Sequence, residues 1–379
     1  MKKCLLSVAA IMLLGLAGCS NLSNVTKSIE TAEPEFKTNI QIATEYIENK
    51  IKIDSMCNSR SAKSNDYPSF MSNNDIVDKE GNKILFDDFT EEEKQVFYSV
   101  WKEALLNSIV EKLDSDDGLV EMLSLENEVF NMTENNRSLL NTSPEMFLKN
   151  YQKNLKKLLK KNNAETTSRA STSSFQGSEI TANCNVTSSV STCKKWYKKG
   201  RLFIATDTTS SVGSAYIGHI SIANELWWDD NWDYDGLAKA TITSYPEKNG
   251  SMWPGKNDGV QYEPIGLWVG NSGGSAINVS LYDVGGWTWV WDWWNSHFEY
   301  TYASDSARKI AVQYAENQIG KPYSWDLPYQ WHRWEFYCSS LCNAAWDVAG
   351  YCFSTGLWVT PSDIASSDHT RVACSYRNR

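Results

Sequence analysis

The sequence has no excess of positive charge, because its 36 Lys and Arg residues are outnumbered by 46 Asp and Glu residues, which gives a formal net charge of −10. An acidic chain is poorly suited to binding nucleic acid or the surface of anionic lipid. The sequence also has no glycine-rich nucleotide-binding loop and no internal repeat. The sequence has four histidines and nine cysteines. They do not form the two clusters with metal-ligand spacing that a zinc site would need, so we expect no metal and no cofactor.

The apolar run at the N-terminus is too short to span a bilayer as a permanent helix. Lysines at 2–3 precede apolar residues at 5–14, and Leu-Ala-Gly-Cys follows at 16–19. This arrangement is typical of a secretory signal. Leu-Ala-Gly-Cys resembles the bacterial lipobox, which implies that residues 1–18 are a lipoprotein signal peptide and that Cys19 is lipidated. We expect a membrane-anchored lipoprotein on the exported face of the cell envelope, in the outer membrane if the source has one.

Composition indicates a globular chain, with 41% hydrophobic and 22% charged residues, and the length suggests two domains. Residues 19–163 carry helical patterns. Thr90 and Glu93 form a capping box ahead of an apolar face. Further on, apolar residues recur at helical spacing, namely Phe147, Tyr151, Leu155, Leu158 and Leu159. The segment contains no histidine and no catalytic motif, so we predict a separate all-helical domain that acts as a spacer or binds a partner.

The composition changes after residue 163. Residues 164–194 are rich in Ser and Thr, which is typical of a linker. All four histidines and all but one of the 17 tryptophans lie beyond that segment. Residues 195–379 are therefore predicted to form a second domain of different character.

Cysteine usage is compatible with an exported protein. Cys184 and Cys193 are close enough in sequence to close a small loop, and Cys352 with Cys374 would attach the C-terminal tail. Other pairings remain open, because spacing alone does not determine connectivity.

Cys338 lies in the first turn of a predicted helix, just after an aromatic-rich loop. The positive end of the helix dipole favours a thiolate there, which is the nucleophilic form of cysteine. The alternative is a small buried thiol without a chemical role. Cys342 lies one helical turn further on, a spacing that is also compatible with a redox pair.

Short strands are predicted before that helix. His219 begins a strand in which Ile220 and Ile222 alternate with smaller residues, and Thr243 lies in the middle of a neighbouring strand. Aromatic residues alternate along 287–294. Their shared face is either a platform for sugar rings or acyl chains, or a face that packs into the core.

Five motifs occur in an order that resembles the circularly permuted NlpC/P60 papain-like amidases (YaeF/YiiX type). They are Gly-His-aliphatic on a strand at 218–220, a second strand near Gly-Val at 259–260, Ala-x-x-x-Ala-x-x-x-Ile-Gly-Lys-Pro-Tyr at 311–323, Tyr-Cys-Ser-x-Leu at 337–341 and Thr-Pro-x-Asp-Ile at 360–364. The resemblance covers about residues 195–370. In this family the histidine strand precedes the cysteine helix, the reverse of papain.

The resemblance implies a role for each matching residue. Cys338 corresponds to the nucleophile, with its backbone N–H stabilising the oxyanion, and His219 corresponds to the general base. Tyr323 matches an active-site tyrosine. Similar proteins carry a glutamate on the strand after the histidine, and Thr243 (or Ser244 after a one-residue shift in register) occupies that position here.

Five further positions bear on the site or its surroundings. Ser340 stands where similar proteins often have glutamate after Cys-Ser. Trp325 and His332 lie in the loop before the cysteine helix, and we predict that they bind substrate. His297 and His369 are interpreted as surface or packing residues.

The sequence therefore predicts an α+β fold, in which a permuted papain-like catalytic domain packs a small antiparallel sheet on the cysteine-bearing helix. The expected function is a thiol hydrolase that cleaves amide bonds through an acyl-enzyme, in cell-wall peptides. One alternative is a lipid esterase or acyltransferase that uses the same Cys-His site. Another is a non-catalytic envelope protein on a papain-like scaffold, because a hydroxyl replaces the family carboxylate. The expected partners are a peptidoglycan peptide or an acyl lipid.

Overall fold

The sheet of this protein is organised around one long strand, β8 (Asn278–Trp291). The structure is a computed structural model, and it describes residues 37–58, 67, 75–137, 146–147, 149–151, 153–155, 157–158, 185–187, 190–205, 218–224, 240–245, 259–263, 268, 278–291, 297–324, 333–354 and 358–377.

Seven helices and ten strands have defined bounds among the described residues. The helices are α1 (Asn39–Asn58), α2 (Glu91–Ser115), α3 (Asp117–Arg137), α4 (Val190–Lys195), α5 (Asp305–Glu316), α6 (Cys338–Val348) and α7 (Pro361–Ser366). The other strands are β1 (Asp75–Asp78), β2 (Lys83–Ile84), β3 (Asn185–Thr187), β4 (Leu202–Ala205), β5 (His219–Ala223), β6 (Thr241–Tyr245), β7 (Gly259–Glu263), β9 (His297–Tyr302) and β10 (Thr370–Arg377). Helical residues also occur between 146 and 158.

The sheet is mixed and has ten strands. Its main path runs β2-β1-β8-β4-β5-β6-β7, while β9 and β10 also pair with β8, and β3 pairs with β10. Two pairs are parallel, β1 with β8 and β3 with β10, and the remaining pairs are antiparallel. The mixed α and β content agrees with the α+β class at a coarse level. The strand pairs within residues 195–379 are antiparallel, as predicted. The sheet is larger than predicted, because β8 pairs with four strands and the parallel strands β1 and β3 join from the N-terminal part of the chain.

Helix starts follow local capping rules. The Thr90 hydroxyl accepts the N–H of Glu93, and the Glu93 carboxylate accepts the N–H of Thr90 at 2.8 Å, which is the predicted capping box ahead of α2. Thr360 and Asp363 form the equivalent pair at the start of α7. These contacts satisfy N–H groups that the first turn of a helix leaves without a helical partner.

The N-terminal segment contains strands as well as helices, which differs from the predicted all-helical domain. β1 pairs with the second half of β8, between Asp75↔Thr288 and Asp78↔Trp291. α2 covers this region, with ring centroids 4.5 Å apart for Phe97 and Trp289. Trp289 is fully buried, so the alternating tryptophans of β8 pack into the core here, as one of the two interpretations of the pattern expected.

One continuous apolar core contains residues from both predicted domains, including Ile42 of α1, Leu123 of α3, Leu341 of α6 and Ile364 of α7. Residues Thr38–Arg379 form a single compact unit. The predicted boundary at 164–194 therefore differs from the observed unit. The physical reason is that α1, α2 and α3 pack against one another and also against α7, so that their apolar residues belong to the same core as those of α6 and α7.

A buried polar cluster lies where these helices meet. Tyr46 of α1 donates its hydroxyl to Asp363 of α7 at 2.7 Å, and Lys50 makes an ion pair with the same carboxylate. Glu126 of α3 accepts a hydrogen bond from Ser362. Burial first, and then the charge of Asp363, raises the pKa of Glu126 to about 7.

No helix in the described part of the chain is long and apolar enough to cross a membrane. Residues 1–18 and Cys19 lie outside the described residues, as does most of the predicted linker. The signal peptide and the lipidation of Cys19 stay predictions.

Candidate active site

His219 is the first residue of β5, and its neighbours determine where that strand begins. Ala205 of β4 pairs with His219 across the sheet. Gly218 has a φ of +74°, and a Cβ atom on it would lie 2.7 Å from the carbonyl oxygen of Ala205. Only glycine fits here without displacing β4, so the Gly-His pair of the sequence is a geometric requirement of this strand start.

Cys338 is the first residue of α6. The N–H of Tyr337 is bound by the hydroxyl of Ser340 at 3.0 Å, so Ser340 caps the helix. Val359 fixes the same turn, because its N–H donates to the Tyr337 hydroxyl at 3.1 Å and its carbonyl accepts from Ser339 at 2.8 Å. The helix start is therefore held at two points, and Cys338 lies in the first turn, at the positive end of the helix dipole.

The two predicted partners lie in contact. The side chain of Cys338 lies close enough to the imidazole of His219 to raise its pKa. Both are buried, with 6% of Cys338 and 4% of His219 exposed. The contact joins residues more than a hundred positions apart in sequence, and α6 packs against β5 and β6 to form it.

Thr243 of β6 lies against the histidine ring. Its hydroxyl oxygen is 3.3 Å from Nε2 of His219, and the same hydroxyl donates to the carbonyl of Ile220 at 2.7 Å. A hydroxyl has one proton, so with that proton on Ile220 its lone pair is available to accept Nε2–H. Ser244 instead donates to the carbonyl of Phe336 at 2.5 Å, which excludes the one-residue shift in register.

Glu263 supplies a carboxylate near His219 that could not be identified from the sequence motifs. Oε1 of Glu263, the last residue of β7, lies 3.7 Å from Nε2 of His219, within ion-pair distance. Its other oxygen accepts a hydrogen bond from Nε1 of Trp268 at 3.1 Å, and the Trp268 ring stacks on the imidazole with centroids 5.3 Å apart. Glu263 is itself buried, at 3% exposure. The carboxylate beside His219 therefore comes from β7, the strand that pairs with the one carrying Thr243.

The surroundings of His219 favour its charged form. Burial alone lowers the pKa of the imidazole, because it disfavours the cation. Hydrogen bonds and charge interactions with Cys338 and then with Glu263 outweigh burial, and together they raise the pKa from 6.5 to about 10. The arrangement therefore stabilises an imidazolium between two acidic groups.

Tyr323 is buried beside the segment that leads into α6. It forms an isolated bridge with Phe336, and Ser324 donates its N–H to the carbonyl of Phe336 at 3.0 Å. This places the Gly-Lys-Pro-Tyr segment next to the cysteine helix. Trp325 and His332, the two predicted substrate-binding residues, lie outside the described residues.

The remaining histidines that the structure describes have local roles. His297 is exposed and lies 3.4 Å from Glu299 on the same strand. Nδ1 of His369 lies 3.0 Å from the carbonyl oxygen of Gly285, and its ring contacts aromatic neighbours. Both placements agree with the interpretation of surface and packing residues. Within the described residues no group of three or more metal-ligating side chains is found.

The cysteines are arranged differently from the pairings that spacing suggested. Cys374 is a free thiol buried in the same cluster as Cys193, so the expected pairing of Cys374 with Cys352 is corrected. Cys352 instead contacts the carbonyl of Ser354 at 3.3 Å. Cys342 is fully buried, and burial raises the pKa of its thiol well above the ordinary value, which makes it a poor partner for redox chemistry with Cys338.

No protein-family model, curated protein or solved structure matches this chain. The resemblance to permuted papain-like amidases therefore depends on the order of the five motifs alone. The functional argument depends on the geometry around Cys338 and His219.

Proposed function

We propose that this protein is a thiol hydrolase in which Cys338, His219 and Glu263 act together on an acyl substrate. The observation that carries the proposal is the buried contact between Cys338 at a helix start and an imidazole whose pKa is raised to about 10. Such a pair places a nucleophilic sulfur next to an imidazole that can donate a proton. A structural cysteine needs neither an imidazole partner nor a carboxylate behind it.

The first chemical step is attack of the Cys338 thiolate on the carbonyl carbon of the substrate. The developing oxyanion is stabilised by the backbone N–H of Cys338 and by the positive end of α6. The imidazolium of His219 then gives its proton to the leaving amine, and the carbon–nitrogen bond breaks. The product of this step is a thioester on Cys338 and a free amine.

The second step removes the acyl group with water. Neutral His219 accepts a proton from the attacking water, and the thioester collapses to a carboxylic acid and the Cys338 thiolate. Because Thr243 and Glu263 both lie on the Nε2 side, we assign Nδ1 as the nitrogen that exchanges protons with the sulfur and the substrate. Glu263 stabilises the imidazolium, and Trp268 keeps both the ring and the carboxylate in place.

Glu263 also weakens the non-catalytic alternative, whose main support was the absence of a carboxylate near His219. The lipid alternative loses part of its support as well, because Trp287 and Trp289 are buried in the core and offer no acyl-binding platform. We therefore favour amide bonds over lipid esters. The proposed setting is the exported face of the cell envelope, with an anchor at Cys19 and a peptidoglycan peptide as substrate.

Site-resolved alkylation tests the nucleophile. At pH 7 a limiting amount of iodoacetamide should modify Cys338 first, although Cys352 is more exposed. Burial first, and then Asp347, raises the pKa of Cys352 to about 11, which leaves little thiolate there. Peptide mass spectrometry should show this modification lost in Cys338→Ala and unchanged in the control Cys352→Ala.

Substrate assays then separate the reaction classes. Peptidoglycan peptides should be cleaved by the wild-type protein and not by Cys338→Ala, and phospholipid esters should be turned over at least ten times more slowly. Faster turnover of the esters would favour the lipid alternative. Equal labelling of Cys338 and Cys352 at neutral pH would contradict an activated thiol and with it the proposed hydrolase.

A further inference from the structure

A second pair of cysteines lies in a small buried cluster that also contains Trp268, the ring that stacks on His219. Cys193 belongs to α4 and Cys374 to β10, and α4 packs against both β10 and β3. Both thiols are fully buried in the same small apolar cluster, which also contains Phe203, Leu281 and Tyr376. Both are free thiols in the structure, and they lie close enough to affect each other's pKa.

We propose that Cys193 and Cys374 form a disulfide bond when the protein folds in an oxidising compartment. The bond would connect the segment that begins the second half of the chain to its last strand. Backbone pairing already brings these segments together, because Cys374 is opposite Asn185 in the parallel β3–β10 pair and α4 follows β3 directly. Little backbone movement is therefore needed for the sulfur atoms to approach.

The two thiols interact, and each affects the pKa of the other. The positive charge of Arg201 also acts to lower the pKa of Cys374. This charge favours Cys374 as the attacking sulfur once the two segments have come together.

The oxidant belongs to the class of small-molecule or protein disulfides. On the folding chain, the Cys374 thiolate attacks one sulfur of that disulfide and releases the first oxidant thiolate, which takes up a proton. The Cys193 sulfur then loses its proton and displaces the second oxidant sulfur. The chain gives up two electrons and two protons, and the oxidant leaves as two thiols.

The disulfide bond would also protect Cys338 from exchange with other thiols. The proposal of this bond does not depend on the proposed hydrolase activity. A native bond between Cys193 and Cys374 removes two thiols that would otherwise exchange with Cys338 during export. Cys338 then keeps His219 as its partner. Because the bond encloses β4 to β9 and α5 to α7, it also restricts the unfolded chain over a long loop, which stabilises the folded state.

The test is peptide mapping of the full chain without reductant. The protein is unfolded, refolded with oxidised and reduced glutathione, blocked with N-ethylmaleimide in denaturant and digested. We expect one cross-linked peptide that contains Cys193 and Cys374, which separates on reduction. The controls Cys352→Ser and Cys338→Ala should give the same cross-link, and Cys374→Ser should leave Cys193 blocked as a free thiol.

Thermal unfolding supplies a second measurement. The midpoint of the oxidised wild-type protein should fall by several degrees when the bond is reduced. The double variant Cys193→Ala, Cys374→Ala should show no such shift. Recovery of both cysteines as free thiols after refolding, or of Cys193 bound to Cys184 and Cys374 bound to Cys352, would overturn the proposal whatever the hydrolase assays show.

Discussion

Replacing Glu263 with Gln removes the carboxylate charge beside His219 and keeps a side chain of the same size. At the observed 3.7 Å between Oε1 and Nε2, two unit charges attract by about 4 kcal/mol at an effective dielectric constant of about 20. Neighbouring charges at such distances shift a pKa by about 1 to 3 units. Because Cys338 still raises the pKa of the imidazole, we expect the pKa of His219 to fall from about 10 to roughly 7–9 in E263Q.

Nuclear magnetic resonance can follow this titration directly. The chain has four histidines, so labelling of histidine at Cε1 gives a short set of resonances, and His219→Gln identifies the one of interest. In the wild-type protein this resonance should keep its imidazolium shift up to about pH 9, since the pKa is about 10. In E263Q its midpoint should move down by about 1 to 3 units, and the alkaline limit of hydrolase activity should move with it.

The matched control is Glu299→Gln. That variant also removes a carboxylate close to a histidine, since Glu299 lies 3.4 Å from His297, but the pair is on the exposed strand β9. It should leave the His219 midpoint unchanged. A wild-type midpoint near 6.5, or identical His219 midpoints in wild type and E263Q, would refute the assigned charge interaction.

Two other predictions concern stability. Glu126 has a folded-state pKa of about 7, above its unfolded value of about 4.3, so the folded state binds more protons between those values and stability falls as pH rises through that window. Urea unfolding at pH 5 and pH 8 should show this fall in the wild-type protein and a smaller one in Glu126→Gln; equal pH dependence in both would contradict it. Gly218→Ala combines a left-handed φ with a Cβ atom 2.7 Å from the Ala205 carbonyl, and we expect a loss of at least about 2 kcal/mol in the free energy of unfolding. A loss below about 0.5 kcal/mol would show that β4 moves easily at this point.

Local features of this fold could be predicted from the sequence because their determinants are close together along the chain. The Thr90–Glu93 capping box is one example. The start of α6 at Cys338 and of β5 at His219 are others, and there the spacing of apolar residues marks the element boundaries. The positions of these side chains within their elements follow from such patterns alone.

The contribution of Glu263 depends on long-range geometry that the sequence does not encode in a readable pattern. Its approach to His219 requires β7 to pair with β6 in the observed register, Thr241↔Glu263 and Thr243↔Gln261. A shift of one residue would turn the carboxylate to the other face of the sheet. In the sequence, Glu263 is only an acidic residue at the end of a short strand. Its position near His219 can be inferred only when the pairing of β7 with β6 is known.

The arrangement of the N-terminal segment could not be predicted for a similar reason. An apolar stripe shows that a helix buries one face, but it does not identify the surface that covers that face. Here α1 and α3 pack against α7, which lies more than two hundred residues further along the chain. The resulting core contains residues from both sides of the Ser/Thr-rich segment at 164–194, where the composition had suggested a domain boundary.

Strand β8 also affects how this protein can be dissected or can diverge. Its first half pairs with β4, the neighbour of the histidine strand, while its second half is covered by β1 and α2. A fragment that begins at residue 195 would uncover Trp289 and so carry an aggregation-prone face. A change in the size of a side chain in α2 therefore requires a matching change in β8. This packing couples the sequence of the N-terminal helices to that of the sheet that positions His219.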